Sequence, residues 1–463
     1  MKSNQNLDAD GRPYNRGLLI ASLLIGGFLT VLTETILNNG LADIARSLSI
    51  TTATAQWLST GYMLTMGIMV PVSAFLLNRF NSRNLYLVAL VIFIIGTSIA
   101  FVASNFPILL IGRLIQAASV GIIMPFMRNI MLLIFPVEKR GLAMGLTGIV
   151  IALAPAFGPT LSGWIVMHYS WHYIFGALLP VSVLVLILAF FGMRKILKTS
   201  NPELDIRSVV YSTVGFGGIL YGFSTVAVGD KLISGAAILI GLIGVLLLIL
   251  RQKGLTTPML DMSVFKSFTF TLTTVLTSLA SMALLGLQLL LPLYLQDAFH
   301  IPALTVGLIM LPGALVMGAI TPISGLLFDK FGIKLLSIIG FGVYTSALIA
   351  FALMGPNTST FAMTITYMVW MGGISLMLMQ LVTAGVNDLS MDKIPDGNAI
   401  NSMGQQVFAS FSTAASISLI TLVAAGNPQL SNSAATLLGY HYAFYFLIFT
   451  GAIGLVGSFF LKK

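Results

Sequence analysis

Hydrophobic residues run through this chain in fourteen long stretches, separated by short breaks of polar, proline or glycine residues. Each stretch is long enough for a helix of about 20 residues, the length that crosses the hydrocarbon core of a bilayer. The pattern predicts an all-α protein with fourteen membrane-spanning helices at residues 17–41, 56–78, 84–103, 107–128, 141–167, 173–193, 206–227, 232–250, 269–296, 303–328, 335–354, 360–386, 398–425 and 440–461.

The composition supports a membrane protein and excludes several other classes. Hydrophobic residues make up 57% of the chain and charged residues only 8%, whereas a soluble domain has roughly 25% charged residues. The chain has no cysteine, which excludes a disulfide framework. No phosphate-binding loop, metal-ligand cluster or nucleophile–base pair is visible, so we expect neither an enzyme nor a bound cofactor. The polar start lacks a signal-peptide cleavage pattern, so the first stretch should remain as a helix.

The distribution of positive charge predicts the orientation in the membrane. If the first segment is cytoplasmic, most of the 23 Lys and Arg residues fall in cytoplasmic segments, as the positive-inside rule requires. We therefore expect both termini in the cytoplasm. The same asymmetry explains the net charge of +9, and it leaves no reason to expect a nucleic-acid partner.

Two similar segments indicate an internal repeat. The sequences PVSAFLLNRFNSR at 71–83 and PISGLLFDKFGIK at 322–334 share Pro, Ser, Leu and Phe at identical offsets. The first segment ends the second predicted helix and the other ends the tenth, so the repeat distance is eight helices. Parallel six-helix halves are a known transporter architecture. An offset of eight predicts two inserted helices between such halves, with boundaries at 1–198, 199–267 and 268–463.

Two further stretches carry polar residues, glycine and proline inside predicted helices. They are GRLIQAASVGIIMP at 112–125 and APAFGPTLSG at 154–163. With the repeated loop segments, they resemble the fourteen-helix drug:proton antiporters of the major facilitator superfamily, especially the lincomycin-resistance branch. The resemblance covers nearly the whole chain. It implies the major facilitator fold and proton-coupled multidrug efflux by alternating access across the bacterial plasma membrane. The implied partners are small lipophilic drug-like compounds, protons and the bilayer, with the proton gradient as energy source and a monomeric protein.

These motifs also supply candidate gating residues. Cations at a cytoplasmic helix end oppose the negative helix terminus and can join neighbouring helices while the inner side is closed. Prolines within a span favour a bend, and glycines allow close helix approach. Positive-inside topology and the ordinary abundance of Gly and Pro in membrane helices are the alternative explanations. The candidates are Asn78, Arg79, Arg83, Pro155, Gly158, Pro159, Gly163, Asp329 and Lys330.

One acidic and one basic residue lie well inside predicted spans. Glu34 and Arg113 lie about seven and six residues from the outer ends of the first and fourth spans, so both are roughly 10 Å below the outer surface. Ionisable residues inside a membrane are functional candidates. We predict that Glu34 and Arg113 form a proton-coupling site, with a static structural ion pair as the alternative.

Polar residues near these charges are candidates for substrate contact, namely Asn38, Tyr62, Gln116 and Gln380. Such residues also join helices through hydrogen bonds, which is the alternative. A single intramembrane carboxylate favours neutral, zwitterionic or lipophilic monocationic substrates over dications. Two other functions stay open. One is export of a physiological lipid, fatty acid or peptide with incidental drug efflux, and the other is a non-transporting membrane receptor.

Overall fold

The protein is described from a computed structural model, which describes residues 10–37, 40–196, 205–226, 230–255, 258, 260–355, 358–427 and 432–461. These residues form α-helices joined by short turns. In chain order the helices are α1 (Arg16–Thr35), α2 (Leu41–Ser47), α3 (Thr52–Arg79), α4 (Ser82–Phe101), α5 (Phe106–Ile134), α6 (Arg140–His168), α7 (Tyr173–Gly176), α8 (Leu178–Gly192), α9 (Ile206–Thr225), α10 (Lys231–Gly254), α11 (Phe268–Phe299), α12 (Ala303–Phe331), α13 (Ile333–Ala352), α14 (Thr360–Asn387), α15 (Ile394–Gly426) and α16 (Asn432–Ser458).

Among the described residues, eleven helical segments are long and apolar enough to cross a membrane, with α7 and α8 counted as one. The prediction of an all-α membrane protein is therefore confirmed. Helices α3, α6 and α9 contain 28, 29 and 20 residues and occupy the other three predicted spans. Fourteen spans thus remain a prediction, which eleven of the helices support.

The first predicted span extends too far. The prediction placed a helix over 17–41, but α1 ends at Thr35 and a separate short helix, α2, begins at Leu41. The sequence Asn-Asn-Gly at 38–40 explains the early end, because Asn and Gly favour turns. As a consequence, Glu34 lies in the last turn of α1 rather than deep inside a helix.

The helices before residue 193 and those after residue 267 repeat one packing pattern, and we call them the first and second groups. Helix α4 packs against α5 and α8, and α13 packs in the same way against α14 and α16. A Cβ atom at Gly96 of α4 or at Gly340 of α13 would lie within 2.9 Å of the carbonyl oxygen of the facing glycine, Gly112 or Gly373. Buried apolar residues form one large core in each group.

Helices α9 and α10 form a pair that packs against both groups. Glycines of α9 face glycines of α10, and α9 contacts α3 and α15. Tyr221 of α9 stacks on Trp57 of α3 with 5.9 Å between ring centroids. Arg251 Nε donates to the Asp205 carboxylate at 2.7 Å, which joins the end of α10 to the start of α9.

The basic end is the end of the helix bundle that carries residues 79–83, 135–140, 251–255, 260–267 and 387–393. The seam is the interface between the groups, where α6 contacts α12 and α14, and where α3 and α5 contact α15. Near the basic end the seam is tightly closed, because a Cβ atom on Gly325 would lie 2.3 Å from the carbonyl oxygen of Gly141.

Candidate functional site

Arg113 lies in the interior of the first group, on α5, and its side chain is 0% exposed. Nη1 donates to the carbonyl oxygen of Thr33 at 3.2 Å and to Gln116 Oε1 at 2.7 Å. Nε donates to the carbonyl oxygen of Leu58 at 3.4 Å. Gln116 Nε2 in turn donates to Thr97 Oγ1 at 2.8 Å. One buried charge therefore joins α5 to α1 and α3, and its partner Gln116 extends the network to α4.

Tyr62 supplies an aromatic face for this charge. The Arg113 guanidinium carbon lies 4.0 Å from the centroid of the Tyr62 ring, which is cation–π geometry. Within the described part of the chain, the Tyr62 hydroxyl and Nη2 of Arg113 are buried without a hydrogen-bond partner. An unpaired buried polar atom costs about 1–3 kcal/mol. The cluster therefore has spare hydrogen-bonding capacity for a movable side chain, a water molecule or a ligand.

Glu34 differs from Arg113 because its side chain is partly exposed. Among the residues that the structure describes, no ion pair is formed between the Glu34 carboxylate and the Arg113 guanidinium. The neighbouring residue Thr33 accepts a hydrogen bond from Arg113, so the two charges lie beside the same helix turn. The structure brings the predicted pair together without joining it, and proton coupling stays a prediction.

Two glycine contacts set the positions of the helices around this site. A Cβ atom on Gly112 of α5 would lie 2.8 Å from the backbone nitrogen of Ala100 in α4. A Cβ atom on Gly158 of α6 would lie 2.3 Å from Thr35 Oγ1, one residue after Glu34. Larger side chains at these positions would push the helices apart. The predicted gating residue Gly158 therefore packs directly beside the turn that carries Glu34.

The predicted substrate-contact residues do not form one cluster. Tyr62 and Gln116 both contact Arg113. Gln380 lies in the second group on α14, where Nε2 donates to Ser324 Oγ of α12 at 3.0 Å. Asn38 lies outside the described residues. Substrate contact by these residues stays a prediction.

Asp329 is the predicted gating residue with the clearest contact across the seam. Its Oδ1 accepts from the backbone N–H of Gly141 at 3.0 Å, and its Oδ2 accepts from that of Leu142 at 3.2 Å. Both donors lie in the first turn of α6, where a carboxylate opposes the positive end of the helix dipole. Asp329 of the second group thereby holds α6 of the first group at the basic end.

The other predicted gating residues form contacts within one group or are only partly described. Arg83 Nη2 donates to the carbonyl oxygen of Phe190 at 3.0 Å, which joins α4 to α8. Arg79 and Lys330 lie over the rings of Phe75 and Phe331, at 5.9 Å and 5.2 Å from the ring centroids. Asn78 and Gly163 are partly exposed. Pro155 and Pro159 lie in α6, but their side chains are outside the described part of the protein.

Sequence reasoning missed two residues that join the groups. Arg140, which the sequence places in a charged loop, is 2% exposed, and its Nη1 donates to Asn387 Oδ1 at 2.9 Å across the seam. Arg128, which the sequence places inside an apolar run, donates from Nη1 to Ser402 Oγ of α15 at 3.2 Å. The only available signal was the position of Arg128 inside an apolar run.

Comparison with known proteins agrees with this arrangement of helices. The chain matches the Major Facilitator Superfamily over residues 23–417. The chain belongs to the major facilitator superfamily. Within this superfamily it is 41% identical to the uncharacterized MFS-type transporter YcnB of Bacillus subtilis, over 99% of this chain and 98% of that protein. It is 39% identical to the lincomycin resistance protein LmrB of Bacillus subtilis, over 96% of this chain and 95% of that protein.

More distant members of the superfamily match as well. The multidrug export protein EmrB of Haemophilus influenzae is 28% identical over 83% of this chain and 76% of its own length. The crystal structure of the human organic anion transporter MFSD10 superposes with a TM-score of 0.64 at 13% identity, covering 94% of this chain and 99% of that one; this likeness shows the fold alone. The chain is thus a multi-pass membrane transporter rather than an enzyme, and the resemblance to the lincomycin-resistance branch is confirmed.

Proposed function

We propose that this transporter exports lipophilic drug-like compounds from bacteria in exchange for protons, by alternating access across the plasma membrane. The substrates are neutral, zwitterionic or singly cationic. Fourteen spans in a 6+2+6 arrangement, with segments 1–198, 199–267 and 268–463, both termini in the cytoplasm and a monomeric protein complete the proposal. The printed names of LmrB and EmrB support the substrate class.

The arrangement of Glu34 and Arg113 carries the proposal. The Glu34 carboxylate is partly exposed, while the adjacent Arg113 is fully buried and retains an unpaired Nη2 donor. A rotation of the Glu34 side chain toward Nη2 forms a charge-assisted hydrogen bond when the carboxylate is ionised. Protonation removes that attraction and returns Glu34 to the exposed position. Proton uptake and release therefore change how α1 is held against α5.

The closed basic end supplies the second half of the cycle. Asp329 and Arg140 join the two groups there, which corresponds to an outward-facing form if the basic end is cytoplasmic. Inward opening requires these hydrogen bonds to break. We propose that the protonation state of Glu34 shifts the balance between the two forms, because a ligand moves an equilibrium only by binding one form more tightly.

Purified protein in proteoliposomes tests this function. We expect drug movement against its gradient when a pH gradient is imposed, and substrate-dependent proton release when none is imposed. A receptor would bind drug without either signal. A panel that compares drug-like compounds with lipids, fatty acids and peptides identifies which class moves fastest. Drug transport that is unaffected by collapse of the pH gradient contradicts proton coupling.

A further inference from the structure

A second cluster of polar side chains, each buried or partly buried, lies in the seam, on α5 and α15. We call it the seam cluster, and it consists of Arg128, Asn129, Asn398, Asn401 and Ser402. Arg128 donates to Ser402, and Asn398 Nδ2 donates to Asn129 Oδ1. The three asparagines are at most 1% exposed. The cluster therefore joins the two groups through one buried and one partly buried polar contact.

The seam cluster is incompletely satisfied. Arg128 Nε, Asn129 Nδ2, Asn401 Nδ2 and Asn398 Oδ1 are buried without a hydrogen-bond partner in the described part of the protein. Buried polar atoms are normally paired, and each unpaired one opposes burial. Three of these four atoms are donors. Packing alone does not require them, because small or apolar side chains fill a helix interface without this cost.

Within the described residues, the cation of the seam cluster also has no anionic partner. Among the ion pairs of the described residues, none involves Arg128. Asp396 lies on the opposite side of α15 from Asn398, because two residues correspond to about 200° of helix rotation. Arg128 lies six residues before the end of α5 at Ile134, or roughly 9 Å from the basic end. A cation at this depth ordinarily has an anionic or polar partner.

We propose that the seam cluster binds the anionic oxygen group of a substrate, such as a carboxylate, when the basic end opens. Separation of α5 from α15 breaks the two cross-seam hydrogen bonds and exposes one guanidinium and several amide donors to the same space. A guanidinium with neighbouring N–H donors suits a carboxylate, which accepts two parallel hydrogen bonds. This site is separate from Arg113, which lies fifteen residues earlier on α5, or about 22 Å away along the helix.

The inference rests on the proposed function only in requiring that the seam opens. It extends the proposed substrate class to compounds that carry an anionic oxygen group, including zwitterions. Such a substrate presents its anionic group to the basic end. Any protonated amine that it carries is free to approach Glu34, which lies toward the opposite end of the helix bundle.

Equilibrium binding of two matched probes tests the proposal without a proton gradient. The probes are a dansyl-labelled undecyl carboxylate and the dansyl-labelled undecyl amine, measured by fluorescence on the purified full-length transporter in nanodiscs. We expect Arg128→Gln to weaken carboxylate binding roughly tenfold or more, since a charge-assisted hydrogen bond is lost, with amine binding unchanged. Arg128→Lys should give an intermediate loss. Lys253→Gln removes an exposed cation of α10 and should leave both probes unaffected.

Two further variants separate binding from packing and from transport. Asn401→Ser should weaken the carboxylate probe by a smaller factor than Arg128→Gln, with amine binding unchanged. Equal weakening of both probes by Arg128→Gln would assign the cluster to closure of the seam and overturn the proposal. So would a lowered melting temperature with unchanged selectivity, or a wild-type protein that binds the amine but not the carboxylate. If Glu34→Gln transports normally while Arg128→Gln loses only the carboxylate probe, the coupling proposal fails and this one stands.

Discussion

Helices α5 and α14 hold equivalent places in the two groups, yet they carry different chemistry. Gly112 on α5 and Gly373 on α14 make the same close contact with the preceding helix. The next residue is Arg113 in one helix and Ile374 in the other, and Met377 of α14 stands where α5 has Gln116. Ile374 and Met377 are fully buried. The repeated fold thus packs equally well with apolar residues at these positions.

The difference between α5 and α14 distinguishes residues that packing requires from residues that it does not require. A buried arginine is costly in a membrane, and α14 shows that the packing does not need one. Packing therefore does not explain the charge in α5, which supports the proposed role of Arg113 beside Glu34. The second group contributes the carboxylate of Asp329 at the basic end instead. We propose that the first group carries the proton chemistry, whereas Asp329 of the second group supplies a closing contact.

The largest effect is expected for Glu34→Gln. Glutamine retains the shape of the protonated acid but cannot release a proton, so uphill efflux should fall to the level of empty vesicles while drug binding and expression persist. Efflux against a pH gradient in proteoliposomes measures the loss. Asp43→Asn is the control, because Asp43 pairs with exposed Arg46 outside the predicted spans. Wild-type uphill efflux by Glu34→Gln would place the coupling proton elsewhere.

Arg113→Ala should have the next largest effect. It removes the positive charge beside Glu34 and favours the protonated carboxyl group, so efflux should be lost or its pH profile should move to higher pH. Arg113→Lys keeps a charge but cannot reproduce the contacts to Thr33, Leu58 and Gln116 together, and it should retain only partial activity. Rates measured across a pH series test both variants. A wild-type profile for Arg113→Ala would show that the two residues act independently.

Glycine substitutions at the equivalent positions test the difference between the groups directly. Gly112→Ala and Gly373→Ala should each lower the free energy of unfolding by about 1–3 kcal/mol, because each inserts a methyl group into a closely packed contact. Only Gly112→Ala should also shift the pH dependence of efflux, because it displaces the helix that carries Arg113. Thermal melting and pH profiles are measured on both variants. Equal pH shifts would mean that the second group shares the proton chemistry.

Asp329→Asn should loosen the basic end. Loss of the charge at the start of α6 weakens closure by about 1 kcal/mol, which corresponds to a roughly fivefold larger inward-facing population. The chain has no cysteine, so spin labels at Lys139 and Ser390 report the separation of the two groups. Glu138→Gln, which removes an exposed carboxylate near α6, serves as control. An unchanged distance distribution would show that Asp329 does not hold the seam closed.

Asp205→Asn should have the smallest effect, because Asp205 joins α9 to α10, and these helices belong to neither group. Hydrogen bonds from Arg251 and Ser208 lower the pKa of the Asp205 carboxyl to about 2. The stabilisation is therefore complete above the ordinary aspartate pKa of about 3.9 and is lost as pH falls through about 2. At neutral pH the variant should lose less than about 1 kcal/mol of stability, as for other exposed pairs, with efflux unchanged. A clear loss of efflux would give the α9–α10 pair a role in transport.

The sequence alone determined which segments form long apolar helices, because the length of an apolar run and the charges at its ends are local properties. The repeat of PVSAFLLNRF and PISGLLFDKF also predicted matching helix ends, and Asp329 in one copy contacts α6. Glu34 and Arg113 were recognisable as isolated charges in apolar surroundings. The end of α1 was misplaced because a turn signal at 38–40 competed with a continuous apolar pattern.

Only the tertiary structure decided which side chains meet. Arg113 hydrogen-bonds to Thr33, Leu58 and Gln116 rather than to the Glu34 carboxylate, and Gln380 bonds to Ser324 inside the second group. Arg128 and Ser402 are 274 residues apart and form a contact across the seam. Such pairs depend on helix rotation and on close approach at glycines. Neither is encoded in the hydrophobic pattern, which records only how far each segment lies from water.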